Sequence, residues 1–188
     1  MSNTRKVAVF VGSLRKGSYN RMMAHALAEV APPSLKLEIV EIGELPLYNQ
    51  DSDTANPPAP WVSFRQKVKP AAAVLFVTPE YNRSVPAPLK NAIDVGSRPY
   101  GQSVWDGKPG AVISVSPGAI GGFGANHHLR QSFVFLNVPV MQQPEAYIGG
   151  AADLFDADGK LKNDSTREFL KKFMASFAAW IERCAGPQ

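Results

Sequence analysis

The chain has 188 residues, 45% hydrophobic and 19% charged, the balance of a globular protein able to bury a substantial core in one domain spanning residues 1–188. Its one cysteine, Cys184, excludes an internal disulfide and a cysteine metal cluster and fits a reducing compartment, and no apolar run approaches the length of a membrane span. The formal net charge of +4, with no basic block longer than two cations, suits an anionic small molecule at least as well as nucleic acid.

The N-terminus is polar and leads straight into a strand without a secretory pattern, so a cytoplasmic address is expected. Val7 to Val11 is an unbroken apolar run, read as a strand buried on both faces. It empties into Gly12-Ser13-Leu14-Arg15-Lys16-Gly17-Ser18-Tyr19-Asn20, and a helical pattern runs from Asn20 to Ala31, stopped by Pro32 and Pro33. Hydroxyls, an amide, a guanidinium and the unpaired N–H groups of a turn and a helix start suit an anion. The segment is neither GxxxxGK[ST] nor GxGxxG, and a plain strand-to-helix turn with solvated polar residues is the bland alternative.

Leu35 to Ile42 mostly alternates apolar and polar, which predicts an edge strand. Leu45 to Pro60 is a long Asp- and Pro-rich loop whose Leu47 and Tyr48 need cover, followed by a helix carrying Trp61, Phe64 and Val68. Ala71 to Val77 is a second buried strand, ending in Thr78-Pro79-Glu80-Tyr81-Asn82. Pro86 and Pro88 place the next helix start beside them, with Gly96 as its stop and Lys90–Asp94 as an i,i+4 ion pair. Ala111 to Val115 is a third buried strand, leading into Ser116-Pro117-Gly118-Ala119-Ile120-Gly121-Gly122. A helix with Leu129, Phe133 and Leu136 follows, then Val138 to Met141 as a short last strand and a hairpin-like loop from Asp153 to Asp164. The last helix has capping-box spacing at Ser165 and Glu168, Gly186 with Pro187 as its stop, and an apolar face running from Phe169 through Trp180 to a buried Cys184. His127 and His128 are adjacent on a helix, diverge by about 100° and cannot share a ligand, so no metal site is expected there.

This alternation predicts an α/β fold: a five-stranded parallel sheet of order 2-1-3-4-5 with helices on both faces. In that order the turns after the first, third and fourth strands line one crevice at the topological switch. The first turn suits a phosphate, the second offers Tyr81 and backbone groups, and the glycine-rich third lets a flat ligand approach the chain. No acidic residue is placed for a ribose diol in a dinucleotide fingerprint, so the resident cofactor reads as FMN rather than nicotinamide.

Gly12 to Asn20, taken with Pro79-Glu80-Tyr81-Asn82-Arg83-Ser84-Val85-Pro86 and Leu89-Lys90-Asn91-Ala92-Ile93-Asp94, resembles the NAD(P)H-dependent FMN reductase family, within it the soluble chromate and quinone reductases. The resemblance covers nearly the whole chain, including Leu129-Arg130-Gln131 and the tail helix. It implies a flavodoxin-like three-layer sandwich binding FMN non-covalently. Ser13, Arg15, Ser18, Tyr19 and Asn20 then surround the phosphate. Pro79, Glu80, Tyr81 and Asn82 lie along the isoalloxazine, mostly through their backbone, and Ser116, Pro117 and Gly118 approach from the other side. It further implies a ping-pong reaction with no catalytic side chain: NADPH or NADH donates a hydride, and a quinone, or opportunistically chromate, accepts two electrons. A homodimer or homotetramer is implied, with Leu47, Tyr48 and residues 98–105 as contact candidates, and no nucleic acid or membrane partner. Val95 and Arg83 depart from the family pattern and are expected near the pocket mouth or a subunit contact. The alternatives are a flavodoxin-type electron carrier, whose usual strong acidity fits the basic balance poorly, an azo or flavin reductase supplying reduced flavin, and a nucleotide-binding regulatory module without redox activity.

Overall fold

Successive side chains of the unbroken apolar strands point to opposite faces and so build two cores, one on each side of a parallel sheet. The computed structural model describes residues 4–186. In chain order the elements are β1 (Arg5–Val11), α1 (Tyr19–Val30), β2 (Leu35–Ile39), α2 (Ala59–Val68), β3 (Ala73–Thr78), α3 (Ala87–Gly96), β4 (Gly110–Val115), α4 (Phe123–Phe135), β5 (Ala146–Ile148) and α5 (Asp164–Ala185). The strands lie in the order β2-β1-β3-β4-β5, all pairs parallel. This is the expected doubly wound, flavodoxin-like arrangement. Val7, Val9 and Val11 of β1 face α1 and α5, where Met23, Leu27, Phe173 and Phe177 are buried. Ala8 and Phe10 face the opposite way, toward Trp61 and Phe64 of α2, Leu89 of α3 and Phe133 of α4.

Several local expectations are corrected. The last strand is Ala146–Ile148, paired with Ile113–Val115, and not Val138–Met141. The earlier segment makes only one bridge, between Val140 and Gly110, because Pro139 has no N–H to continue a ladder. β2 ends at Ile39, where the chain leaves the sheet edge. The cap of α5 is Asn163, whose side chain accepts from Thr166 N at 2.8 Å; Ser165 instead donates its hydroxyl to Asn163. Cys184 is exposed, because the buried face of α5 ends at Ile181 and the helix runs on past the sheet. Gly186 caps that helix with a positive φ, and Pro187 lies outside the described residues. The 153–164 segment does fold back as a hairpin, with Phe155 bridged to Leu161 and both buried.

The long loop after β2 is tied down along its length. Asn91 donates to Leu45 O and Pro46 O and accepts from Tyr48 N, while Asp53 forms a two-pronged pair with Arg65 at 2.7 and 2.9 Å. Tyr48 packs on Trp61, whereas Leu47 stays 79% exposed. In the 98–105 segment Tyr100 is exposed, but Trp105 is fully buried against Phe10 and donates its indole N–H to Ile93 O. Trp105 is therefore core and not available as a subunit contact. Val95, too, is buried in the core beneath α3 and lies at no pocket mouth.

Candidate active site

Parallel register carries three turns to one rim of the sheet. Val11 lies beside Val77, and Thr78 beside Ser114, so β1, β3 and β4 all end at the same edge. The first turn is stitched to the ends of β3 and β4: Gly12 N donates to Val77 O at 2.9 Å, and Asn20 Nδ2 reaches Val115 O at 3.4 Å. Beside it opens a cleft of about 770 Å³, lined by Ser13, Arg15, Tyr81, Asn82, Pro86 and Lys90 among others.

The first turn keeps its donors free. Ser18 is the N-cap of α1 and accepts from Arg21 N at 3.4 Å. Among the described residues, no backbone N–H from Ser13 through Asn20 donates to a protein acceptor. Gly17 stands at φ +66°, which bends the chain back toward α1. Asn20 is buried, and its Oδ1 has no partner. A row of unpaired donors at a helix N-terminus, with serine hydroxyls and the exposed Arg15 beside it, fits a phosphate. The cleft is large enough for the attached ring system. Tyr19 is the exception in this group, since its ring turns away and stacks on Phe155 with centroids 6.3 Å apart.

The second turn is rigid. Tyr81 and Ser84 exchange two backbone hydrogen bonds of 3.1 and 2.9 Å across Asn82 and Arg83, both with positive φ, at +47° and +65°. This is the tight hairpin turn that Asn favours and that Arg adopts at a cost of about 1 kcal/mol. Pro79 packs on Gly12, where an added Cβ would stand 3.0 Å from its ring. Glu80 departs from a purely backbone role: its carboxylate accepts from Ala125 N in the first turn of α4 at 3.0 Å.

Of the expected site residues, Ser13, Arg15, Tyr81 and Asn82 line the large cleft and Ser18, Tyr19, Asn20, Pro79 and Glu80 do not; the third turn leaves β4 at the same rim, and its Ser116, Pro117 and Gly118 also lie outside that lining. Ser116 Oγ accepts from Gly118 N at 3.1 Å, and Pro117 and Gly118 are exposed. Two glycines let this turn lie flat on β5 and the residues after it. A Cβ on Gly121 would sit 2.7 Å from the Tyr147 backbone, and one on Gly149 would sit 2.6 Å from Ala119 O. Beneath it, buried Asn126 donates to Ser114 Oγ and Ala146 O and accepts from Arg130 Nε at 2.9 Å. Burial lowers the Arg130 pKa and, with Glu145 adding to it, raises that of the Tyr147 phenol to about 12, so that phenol is neutral where it meets His127 Nε2 at 2.9 Å. His128 points elsewhere, to Ser84 Oγ at 2.9 Å, so the two histidines diverge as their spacing requires. Lys90 and Asp94 pair at 2.8 Å on the cleft side of α3. Neither the Asn126 network nor the Glu80 cap was read from the sequence; the paired glycines at 121–122 and 149–150 were the available signal for the close packing.

The family model described as NADPH-dependent FMN reductase matches residues 5–153. The chain is 67% identical to a quinone reductase of Pseudomonas putida over 182 residues, covering 97% of each. It is 49% identical to a 2-hydroxy-1,4-benzoquinone reductase of Burkholderia sp. over 176 residues, covering 94% of this chain and 96% of the relative. Among solved structures it is similar to FerB, a flavoenzyme NAD(P)H:(acceptor) oxidoreductase from Paracoccus denitrificans. The TM-score is 0.89 at 42% identity, covering 95% and 98% of the two chains.

Proposed function

The chain belongs to the NADPH-dependent FMN reductase family, and on that premise we propose that it is an NAD(P)H:quinone oxidoreductase built as one FMN-binding domain. The observation that carries the reading is the first turn, where a run of N–H donors without acceptors meets a cleft of flavin size at the switch of strand order. In this reading Ser13, Arg15 and Ser18 hold the FMN phosphate with their side chains; Asn20, whose Nδ2 is engaged by Val115 O, contributes its backbone N–H, as does Tyr19, whose ring stays on Phe155. Pro79, Glu80, Tyr81 and Asn82 present backbone groups to the ring, and Ser116, Pro117 and Gly118 approach from the third turn. FMN, when bound, supplies two-electron hydride chemistry, accepting from NADPH or NADH and donating to a quinone. The protein's part is to bind, orient and shield, so no nucleophile or acid–base pair is required of its side chains. Chromate falls within the same proposal as an oxidant drawn by the positive field. A cytoplasmic homodimer or homotetramer without nucleic-acid or membrane partners is the proposed setting. The exposed Leu14, Leu47 and Tyr81 support self-association, and the single cysteine supports a reducing compartment. No helix among the described residues is long and apolar enough to cross a membrane.

The test is anaerobic spectroscopy of the purified protein loaded with FMN. NADPH or NADH should bleach the flavin absorbance, and benzoquinone should restore it over repeated cycles. A yellow protein inert to both nucleotides would be an electron carrier, and one that cannot take up FMN would refute the reading altogether.

A further inference from the structure

Helix α4 begins without a cap of its own. Its N-cap position is Gly122, with φ +75° and no side chain to accept from the first turn of N–H groups. Glu80 fills that role from a different part of the chain. Its side chain is only 13% exposed, and Oε2 accepts from Ala125 N at 3.0 Å. The neighbouring backbone is shaped around it: a Cβ on Gly124 would lie 3.0 Å from Glu80 Oε2 and 2.7 Å from Arg83 O. Ser84 adds a second tie from the same turn, to His128 at 2.9 Å. Arg83 approaches the carboxylate only to 3.7 Å and is largely exposed, so it adds little.

The placement matters because of what each end carries. The second turn begins at Pro79, packed on Gly12 of the first turn, and the third turn runs directly into α4. The Glu80–Ala125 hydrogen bond is therefore a strut between the second turn and the start of α4, nearer the third turn than the Ser84–His128 tie. We propose that Glu80 is a positioning residue whose carboxylate, by capping α4, sets the separation of the two turns that flank the flavin ring. The proposal rests on the FMN reading above. It assigns the side chain to the ring end of the ligand and leaves the phosphate end to the first turn. The role depends on reach and on an acceptor oxygen, because the partner is a backbone N–H.

The experiment is titration of apoprotein with FMN and with riboflavin, which has the same ring and ribityl chain but no phosphate. Glu80→Ala and Glu80→Asp should weaken both ligands by one common factor of about five- to tenfold, the size of a lost helix cap, leaving the FMN-to-riboflavin ratio unchanged. Glu80→Gln, which keeps the reach and an acceptor, should stay within about twofold of the parent protein. Thermal melting reports whether each variant folds; if Glu80→Ala does not, the contrast between Asp and Gln decides. Binding by Glu80→Ala equal to the parent, a loss confined to FMN, or a Glu80→Gln variant as weak as Ala would overturn the proposal. A parent protein that binds neither flavin defeats the FMN reading itself, before any variant is compared.

Discussion

Gly12→Ala tests whether the first two turns touch as closely as the site requires. The added Cβ would stand 3.0 Å from Pro79 Cδ, 3.1 Å from Leu89 Cδ2 and 3.1 Å from Pro86 Cγ. Carbon–carbon contacts are comfortable at about 3.5–4.0 Å, so each neighbour must retreat by roughly half an ångström. Leu89 can rotate, but the two proline rings cannot, and Pro86 lines the cleft. Overpacking of this kind costs about 2 kcal/mol, which lowers the melting temperature by roughly 4–8 °C in a chain of this length. The retreat also widens the gap between phosphate turn and ring turn. A weakened charge-assisted hydrogen bond there is worth about 1 kcal/mol, or roughly a fivefold higher FMN dissociation constant. Differential scanning calorimetry of the apoprotein reads the first effect, and flavin fluorescence quenching reads the second. A variant that melts with the parent and binds FMN equally well would show that these turns do not press on each other, and the geometry argued for the site would be wrong.

Arg15→Ala should raise the FMN dissociation constant about tenfold to a hundredfold, since a charged donor to phosphate is removed; stoichiometric FMN retained at low micromolar protein would remove Arg15 from the cradle. Asp53→Ala strands the Arg65 guanidinium, 13% exposed against a carboxylate only 2% exposed, and should cost about 3 kcal/mol in urea denaturation. Replacing both partners by apolar residues should cost less than that single change. The Arg21 hydrogen bond holds the Glu41 carboxyl below its ordinary 4.5, and Lys6 and then Lys36 do the same for Glu38. Carboxyls lowered in the folded state stabilise above their ordinary value and lose that contribution as pH falls through the folded value. Melting temperature should therefore drop on acidification below pH 4.5, and Glu41→Gln should flatten that drop. Cys184 is exposed, so native protein should be fully labelled by a thiol reagent without denaturant; partial desolvation raises its thiol pKa, so labelling should be slow at neutral pH and quicken as pH rises. Labelling that needs unfolding would return this residue to the core.

The alternation of strands and helices was legible because apolar periodicity is local. Val7 to Val11 announces burial on both faces without reference to any other segment, and the same holds for Ala73–Thr78 and Gly110–Val115. Once three such strands are joined by helices, handedness and connection length leave few orders, and the rim where the three turns gather follows. The first turn was legible for the same reason, since its glycines, hydroxyls and N-cap lie within one short stretch. Tertiary structure alone decided what depends on a distant partner. Val138–Met141 is more apolar than Ala146–Ile148, yet the latter reaches the free edge of β4, and a three-residue strand has too few residues to show a period. Asn163 outcompetes Ser165 as a cap because only its side chain meets the N–H of Thr166. Cys184 keeps the phase of its helix but lies beyond the surface that the helix covers. Glu80 caps a helix whose first residue follows it by more than forty positions, and that pairing leaves no trace in spacing. A pattern records which way a side chain faces along its own element; what it meets there is set by how the elements come together.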